Sequence, residues 1–446
     1  MREMKDSGVE WIGEIPEDWN VGKTLYALSM PITDGPHETP ELFDEGIPFI
    51  SAEAVSCGNG HIDFEHIRGF ISQEFYEECC KKYIPQINDI YMIKSGATTG
   101  KVAKVETQKL FTIWSPLAVF RVEPQRCYYE YLYYFIQSDA YQKQIENKWT
   151  YGTQQNIGMR TLEKLMICFP SITQQKLIAD YLDSKCSKID EIIEKQQAII
   201  EKLKEYKLST ITEVVTSGLN QKREMKDSHV LSIGRIPTNW DVTKLKYLFG
   251  NGDDGLKIGP FGSAIKGKTL ESGLYKIYNQ AHLINNDFSL NRHYVSEDTF
   301  NDLKAYEVKP GDVLFSMMGT IGKCQIMPKG YPKGIMDSHL LKARLNEKVI
   351  PEFFIYAYDK DFSNQVIQQL LYTSNGTIMN GLNSTILKNV YIALPPLEEQ
   401  EEIVEFLNKF TKNIDDRIGV KTKIVEKLQE YKKSLIYEVV TGKKEV

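Results

Sequence analysis

Two glycine-rich segments have residue types that can contact phosphate. Residues 95–101 read SGATTGK and residues 319–323 read GTIGK, each after an apolar run typical of a strand. Neither is an ATP-binding loop, because the spacing is short and Val102 and Cys324 stand where Ser or Thr would coordinate magnesium. Glycine N–H groups, hydroxyls and a lysine favour contact with DNA phosphate, with a purely structural hairpin as the alternative. The candidates are Lys94, Ser95, Thr98, Thr99, Lys101, Thr320 and Lys323.

Two further segments, GTQQN at 152–156 and GTIMN at 376–380, carry side-chain amides. Gln and Asn can form paired hydrogen bonds with adenine N6 and N7, which makes them candidate base readers. The alternative is a structural turn in which Asn caps the backbone and Gly adopts positive φ. The candidates are Gln154, Gln155, Asn156 and Asn380.

Residues 257–268, KIGPFGSAIKGK, read as an exposed loop with lysines and glycines that can approach DNA. Its candidates are Lys257, Gly259, Phe261, Ser263 and Lys266, and the alternative for Phe261 is a place in the core. The sequence DGPH at 34–37 holds the matching place earlier in the chain. No His or Cys stands at ligand spacing from His37, so no metal site is predicted.

Motifs for catalysis are missing. The chain has no Asn-Pro-Pro-aromatic sequence for amino methylation, no GxGxxG loop, no HExxH and no GxSxG. A non-catalytic protein with no cofactor of its own is therefore expected, and an enzyme acting alone is disfavoured.

These segments belong to an internal repeat of about 220 residues. Residues 4–26 and 225–247 are identical at 13 of 23 positions, including Trp19 and Trp240. NDIYMIKSGATTGK answers GDVLFSMMGTIGK, and KLKEYKLSTITEVVTSG answers KLQEYKKSLIYEVVTGK. Three matches in the same order indicate a tandem duplication.

Each half predicts a mixed α/β domain followed by a long helix, and residues 128–148 predict a shorter helix inside the first domain. The expected fold class is α+β, with two pseudo-repeated domains joined by two long helices. The expected boundaries are 1–172 and 219–395 for the domains, and 173–218 and 396–446 for the helices. Ser171 and Gln174 form the pattern of a capping box before the first helix.

Both long helices carry apolar residues at heptad-like spacing, which predicts that they pair as an antiparallel coiled coil and act as a stiff spacer. The alternative is that each helix packs on its own domain. The expected seam residues are Ile178, Leu182, Ile189, Ile192, Ile199, Leu203 and Tyr206 in the first helix, and Ile403, Leu407, Phe410, Ile414, Ile424, Leu428, Tyr431 and Leu435 in the second.

Charge and cysteine content limit the functional classes. The net charge is −6, with −8 over residues 1–172 and +4 over residues 219–395, whereas a self-sufficient DNA binder is usually basic. Either the chain does not bind DNA, or a partner supplies much of the cationic surface; the features below favour the second alternative. The seven cysteines lack CxxC spacing, which favours reduced thiols in the cytoplasm. No apolar run approaches the length that crosses a bilayer.

Two variable domains alternating with two long helices, together with the phrases DGPH, GIPFIS, GPFGS, GTQQN, GTIMN and LPPLEEQEEI, resemble the specificity subunit of Type I restriction-modification systems. The resemblance covers essentially the whole chain. It implies that each domain is a target recognition domain for one half of a split sequence in double-stranded DNA. It also implies that the helices set the gap between the halves.

The same resemblance implies two DNA adenine methyltransferase subunits and motor-nuclease subunits as partners. S-adenosylmethionine, ATP and magnesium are then expected in those partners and not in this chain. Two alternatives stay open: the recognition subunit of a Type IIB restriction-modification enzyme, and a coiled-coil assembly protein that does not bind DNA.

Overall fold

The computed structural model describes residues 2–151, 155–220, 222–252, 255–290, 293–318, 321–359, 361–373, 382 and 384–446. The chain forms two compact units. Unit 1 comprises Met1–Gln197 with Lys423–Val446, and unit 2 comprises Ala198–Thr422. Each unit therefore contains one mixed α/β domain, the near part of one long helix and the far part of the other.

The mixed domain of unit 1 contains thirteen described strands and five short helices. The strands are β1 (Met4–Asp6), β2 (Glu14–Pro16), β3 (Asn20–Lys23), β4 (Thr33–Asp34), β5 (Ile47–Ile50), β6 (Phe70–Ile71), β7 (Ile90–Ile93), β8 (Val102–Lys104), β9 (Thr112–Ile113), β10 (Leu117–Phe120), β11 (Thr150–Tyr151), β12 (Gln155–Asn156) and β13 (Met166–Phe169). The helices are α1 (Ala52–Cys57), α2 (Gln73–Cys80), α3 (Tyr129–Gln137), α4 (Asp139–Glu146) and α5 (Met159–Leu162). The first long helix, α6, is Ile172–Ser217.

Unit 2 repeats this plan. Its strands are β14 (Met225–Asp227), β15 (Arg235–Pro237), β16 (Asp241–Lys244), β17 (Lys257–Ile258), β18 (Tyr275–Tyr278), β19 (Tyr294–Val295), β20 (Glu307–Val308), β21 (Asp312–Ser316), β22 (Cys324–Ile326), β23 (Gly334–Met336), β24 (Leu340–Arg344) and β25 (Tyr391–Leu394). Its helices are α7 (Gly262–Ile265), α8 (Gln280–Ile284), α9 (Glu297–Asp302), α10 (Pro351–Tyr358), α11 (Asn364–Thr373) and α12 (Ser384–Asn389), and the second long helix, α13, is Leu397–Val440.

Each unit is built around an antiparallel four-stranded sheet. The strand order is β4-β10-β7-β8 in unit 1 and β17-β24-β21-β22 in unit 2. Every residue of β7 and β10 is buried, as expected for central strands that are covered on both faces. A second sheet follows in each unit, β6-β5-β9 and β19-β18-β23-β20, with one parallel pair in each. The predicted duplication and α+β class are confirmed.

The repeated opening segment forms the same hairpin twice. Met4 pairs with Pro16 in β1 and β2, and Met225 pairs with Pro237 in β14 and β15. The tryptophan that follows each hairpin is buried in the core of its unit. Sequence identity between the halves therefore marks residues that hold the scaffold together.

A buried glutamine fixes the start of each long helix to its domain. Gln175 accepts a hydrogen bond from Tyr128 N–H at 2.8 Å and donates to Pro170 O at 3.0 Å. Gln400 likewise accepts from Ile350 N–H at 2.8 Å. It donates to the carbonyl oxygens of Lys348 at 3.0 Å and Pro395 at 2.9 Å. Buried amides with all these partners satisfy backbone groups that the helix ends would otherwise leave unpaired.

The predicted capping box at the start of α6 is present. Gln174 Oε1 accepts from Ser171 N–H at 3.1 Å, and Ser171 Oγ accepts from Gln174 N–H at 3.3 Å. The predicted helix over residues 128–148 is wrong as a single element, because it breaks at Ser138 into α3 and α4. Ser138 is extended, with φ −69° and ψ 152°, and its hydroxyl donates to Phe135 O, so it competes with the helical hydrogen bond.

The long helices pair in antiparallel fashion. In unit 1, Lys432 Nζ lies 2.6 Å from Asp190 Oδ2, so the far part of α13 meets the near part of α6. In unit 2, Lys207 Nζ lies 2.7 Å from Asp415 Oδ2, and the rings of Tyr206 and Phe410 meet edge to face at 5.6 Å. The two helices therefore form an antiparallel coiled coil.

The predicted seam is only partly correct. Ile178, Leu182 and Ile189 are buried, but Ile192 is 44% exposed and Ile193 is buried in its place. Within residues 194–210 and 415–424, all of which the structure describes, no side chain is buried. In a pair of helices, each seam is covered only by the other helix, and the rest of each helix surface remains exposed to solvent. Of the remaining predicted seam positions, four are exposed: Ile199, Tyr206, Ile424 and Tyr431. Four are buried, Ile403, Leu407, Ile414 and Leu435, and three are half-buried, Leu203, Phe410 and Leu428.

Replacing Gln400 by Ala should destabilise unit 2, because three buried or partly buried backbone groups lose their partner. The expected loss is about 3 kcal/mol in the free energy of unfolding. Urea denaturation measures it, and hydrogen exchange at the start of α10 locates it. Glu401→Ala, an exposed change on the next residue, should cost less than about 0.5 kcal/mol. Equal losses in the two variants would contradict the anchoring role of Gln400.

Candidate nucleic-acid interface

The order of the four-stranded sheet brings three loops to one edge of unit 1. Strands β4 and β7 both run antiparallel to β10, so the ends of β4 and β7 lie beside the start of β10. The loops at this place are residues 35–37, 94–101 and 114–116, and we call them the recognition edge of unit 1. Most of the candidate phosphate contacts in this half lie on it.

The loop at 94–101 is a tight turn held by its own backbone. Gly100 N–H donates to Ile93 O at 2.8 Å, and Thr99 Oγ1 donates to Gly96 O at 2.7 Å. Gly96 and Gly100 have φ of 100° and 93°, values that favour glycine. Gln142 Nε2 donates to Gly100 O at 3.1 Å and so fixes the turn to α4. Lys101 is exposed, and Ser95, Thr98 and Thr99 are half-buried.

The amide-rich segment joins the same edge. Gly96 N–H donates to Gln155 O at 3.0 Å, and Ile157 N–H donates to Lys94 O at 2.9 Å. Ser95 and Asn156 form an isolated antiparallel bridge. The structure thus places two segments side by side whose paired residues, such as Ser95 and Asn156, are 61 positions apart in sequence. Gln154 lies outside the described residues.

A fully buried carboxylate lies beneath this edge. Asp34 Oδ1 accepts a hydrogen bond from Lys82 Nζ, and Oδ2 lies 3.3 Å from Lys94 Nζ and 3.3 Å from His37 Nε2. Burial by itself raises the pKa of Asp34, but the ammonium groups of Lys82 and Lys94 outweigh it and the pKa is lowered. Asp34 is therefore charged and gathers three nitrogen donors around one point.

Unit 2 forms the same edge from β17, β21 and β24. Ile258 pairs with Leu341, which pairs with Phe315, just as Asp34 pairs with Ala118 and Ala118 with Met92. The recognition edge of unit 2 is accordingly residues 259–261, 317–323 and 337–339, of which 319 and 320 are not described.

Backbone hydrogen bonds at the two edges also correspond. Met317 N–H donates to His339 O at 3.0 Å, and Leu382 N–H donates to Met317 O at 2.7 Å. Lys94 makes the equivalent pair of contacts in unit 1, with Pro116 and Ile157. Leu382 is thereby brought to the edge, whereas Asn380 and Thr320 lie outside the described residues.

One glycine in each unit allows the edge to close. A Cβ on Gly35 would lie 1.9 Å from Ile113 O, and a Cβ on Gly259 would lie 1.8 Å from Asp337 O. Side chains are impossible at these distances, since the obstructing atoms are backbone. Each glycine precedes a proline, and together they turn the chain away from the sheet.

The loop that begins at β17 is exposed. Phe261 is 88% exposed, so the alternative that placed its ring in the core is wrong. Ser263 and Lys266 are also exposed. Lys257 is half-buried, with Nζ 5.8 Å from the centroid of the Tyr306 ring. An exposed aromatic among glycines and lysines is typical of an interaction surface.

Lys323 is a correction to the predicted set. Its side chain is 8% exposed and its Nζ lies 2.7 Å from Asp361 Oδ2 and 3.5 Å from Asp359 Oδ1. Burial alone lowers the pKa of Lys323, but the two carboxylates outweigh it and the pKa is raised. The ammonium is thus charged and already neutralised inside the protein, and it does not face a phosphate. Lys94, 12% exposed and paired with Asp34, is held similarly but lies at the edge.

Sequence reasoning missed two structural pairs. Arg121 holds Asp89 through two hydrogen bonds of 2.7 Å, and Arg344 holds Asp312 at the same place in unit 2. The available signal was the repeated Asp, which directly precedes β7 and begins β21, together with the Arg after β10 or within β24. Lys82, the partner of Asp34, had no such signal.

In the described part of the chain, no group of three or more His, Cys, Asp or Glu could hold a metal ion, and no described helix is long and apolar enough to span a membrane.

Comparison with known proteins agrees with this duplicated architecture. The family model for the Type I restriction modification DNA specificity domain matches residues 36–213 and 256–427. A putative type I restriction enzyme MjaX specificity subunit from Methanocaldococcus jannaschii is 27% identical over 440 residues, covering 97% of this chain and 95% of that protein. The EcoKI specificity subunit of Escherichia coli (strain K12) is 22% identical over 403 residues, covering 88% and 82%.

The fold is also that of a solved chain. A chain from a structural study of the complex assembly and conformational transition of the type I R-M system aligns with a TM-score of 0.68 at 14% identity, covering 96% of this chain and 98% of that one. Each of the two domains has its own recognition edge, so the protein has two equivalent candidate binding surfaces. The chain belongs to the family of Type I restriction-modification specificity subunits, which are non-catalytic.

The Gly259→Ala variant should test how tightly the unit 2 edge closes. A methyl group 1.8 Å from Asp337 O forces β17 away from β24, at a cost of about 2 kcal/mol or more in the free energy of unfolding. Gly262→Ala is the matched control in the same loop, because its nearest neighbour is Ser338 Oγ at 3.8 Å. Urea denaturation compares the two. Equal midpoints would show that the edge is looser than the structure indicates.

Proposed function

We propose that each unit binds one half of a split sequence in double-stranded DNA through its recognition edge, as part of a restriction-modification complex. The observation that carries this proposal is the presence of the same edge twice, built from the segments with phosphate- and base-binding residue types. The proposed contacts are Ser95, Thr98, Thr99, Lys101, Gln155, Asn156, Lys257, Gly259, Phe261, Ser263 and Lys266, with Lys94 as a partly buried support. Gln154, Thr320 and Asn380 remain predictions.

The proposal assigns part of the DNA contact to partner subunits. Unit 1 contains residues 1–172, whose net charge is −8, so repulsion from phosphate has to be offset by cations from elsewhere. Two DNA adenine methyltransferase subunits would supply such a surface for the two recognition edges. Motor-nuclease subunits would complete the assembly. S-adenosylmethionine, ATP and magnesium belong to those partners in this proposal. All seven cysteines are free, which suits assembly in the cytoplasm.

The coiled coil sets the gap between the two half-sites in this proposal. Helices of 46 and 44 residues are far longer than needed to pack on one domain. Each is anchored to a domain by its buried glutamine. In the middle of the helix pair, at residues 194–210 and 415–424, no side chain is buried. A change in the number of exposed helical residues should therefore change the gap and leave the domains intact.

Reconstitution tests the function directly. The full chain with methyltransferase subunits of its own system should methylate adenines in one gapped sequence, mapped by sequencing the modified DNA. The chain alone should bind the same duplex weakly, because its own phosphate neutralisation is small. A partnered complex that prefers no sequence over random DNA would favour the assembly-protein alternative.

Helix length tests the proposed spacer. Seven residues inserted after Gln197 in α6 and seven after Thr422 in α13 keep the antiparallel register and lengthen the coiled coil by about 10 Å. The gap in the methylated sequence should grow by roughly three base pairs, given about 3.4 Å per pair, while the letters of both half-sites stay the same. Altered letters with an unchanged gap would contradict this role.

A further inference from the structure

The two recognition edges have the same backbone and opposite chemistry. We propose that unit 1 holds its half-site through a cationic cluster positioned by Asp34, and that unit 2 holds its half-site through an exposed apolar patch led by Phe261. The proposal rests on the proposed function and adds the chemical basis of each contact. Its consequence is that salt affects the two contacts differently.

The cluster in unit 1 is built from parts far apart in sequence. Lys82 follows α2, Lys94 follows β7 and His37 follows β4, yet all three face one carboxylate. Lys82 also lies 3.4 Å from Gly35 O. Its side chain is 49% exposed, and that of His37 is 72% exposed. Two of the three donors can therefore reach a molecule outside the protein.

The position of Asp34 makes it a positioning residue. Within the described residues, Oδ2 has no directed hydrogen bond, although Lys94 and His37 both lie within ion-pair distance of it. Two lysines and one aspartate leave a local positive charge in a domain whose net charge over residues 1–172 is −8. A phosphodiester at this point would meet cations that are already oriented, which lowers the cost of ordering them on binding.

The same register in unit 2 holds apolar side chains. Ile258 takes the place of Asp34, Met317 that of Lys94, and Phe261 that of His37. Ile258 is 41% exposed, and Met318, next in sequence to Met317, is 52% exposed. The only carboxylate on the described part of this edge is Asp337, whose Oδ1 accepts from His339 N–H at 2.9 Å. The cationic cluster is thus replaced by an exposed apolar patch.

DNA is the occupant that this patch and its surroundings fit. Phe261 and Ile258 are close in sequence to Lys266 and Lys268, which are exposed and have no ion-pair partner among the residues that the structure describes. The lysines favour a polyanion, and the apolar groups suit base surfaces such as thymine methyl groups. Contact with bases depends little on salt, whereas each phosphate contact adds about one to the salt slope of the binding constant.

The experiment uses the complex of the full chain with its methyltransferase subunits. Methylation mapping with the wild-type complex first gives the gapped sequence, and a duplex of that sequence is the probe. Binding constants are then measured over a series of KCl concentrations. A wild-type complex without any preferred sequence would contradict the proposed function. This result is obtained before any variant is made, so it is distinguishable from failure of the further proposal.

Variants of the unit 1 cluster should change the salt slope. Lys82→Gln should reduce its magnitude by about one and weaken binding to all sequences alike, and Lys82→Arg should restore both. Asp34→Asn should have an effect at least as large, because both lysines lose their anchor. Asp63→Asn is the matched control: it also removes a carboxylate paired with a histidine three residues on, His66 at 2.7 Å, but lies outside the edge.

A variant of the unit 2 patch should change base preference. Phe261→Ala should leave the salt slope unchanged, weaken binding roughly tenfold, and relax the letters of one half-site in the methylation map. Leu231→Ala removes another side chain of unit 2 that is 85% exposed and should do none of these. Unchanged slope in Lys82→Gln, or a slope reduced by Phe261→Ala, would overturn the proposal. The exposed positions of Lys82 and Phe261 keep both tests valid if Asp34→Asn fails to fold.

Discussion

The pairing of one inner strand in each four-stranded sheet, β10 in unit 1 and β24 in unit 2, is the constraint on which the rest of the structure depends. Because β10 runs antiparallel to both neighbours, two strand ends and one strand start meet at a single edge. Closing that edge requires the chain to turn against a backbone carbonyl, and only glycine fits at Gly35 and Gly259. Loops that are distant in sequence become neighbours as a result. The proposed DNA contacts at the strand ends therefore owe their proximity to one another to this topology.

The contacts that hold the scaffold lie away from that edge and occur in both units. Gln175 and Gln400 fix the long helices through matching sets of backbone hydrogen bonds. Asp89 and Arg121 link the start of β7 to the end of β10, opposite the recognition edge, and unit 2 repeats the pair. These stabilising contacts do not face the proposed DNA, which leaves the exposed side chains of the edge free to differ.

The sequence was sufficient for features that repeat or depend on near neighbours. The duplication, the long helices and the capping box at Ser171 follow from such patterns, and all are present. Features that depend on distant partners were missed. Lys82 lies 48 residues from Asp34, and nothing in either segment indicates the other. Lys323 looked like a phosphate ligand because its acidic partners lie 36 and 38 residues further along the chain. The break at Ser138 depended on one hydroxyl competing with the backbone.

An acidic chain can read DNA if its cations are concentrated where they act. In the proposal for unit 1, the buried Asp34 carboxylate does this by holding two lysines and a histidine at one strand end, so that few positive charges suffice. In unit 2 the equivalent carboxylate is replaced by Ile258, and a buried anchor is no longer needed because apolar contact requires no counter-charge. The lysine at the end of the central strand is absent as well, because Met317 stands in place of Lys94. Unit 2 therefore lacks both the carboxylate and one of the lysines that pair with it in unit 1. The two edges thus differ as coordinated sets, which is the pattern expected when each set is selected for a different half-site.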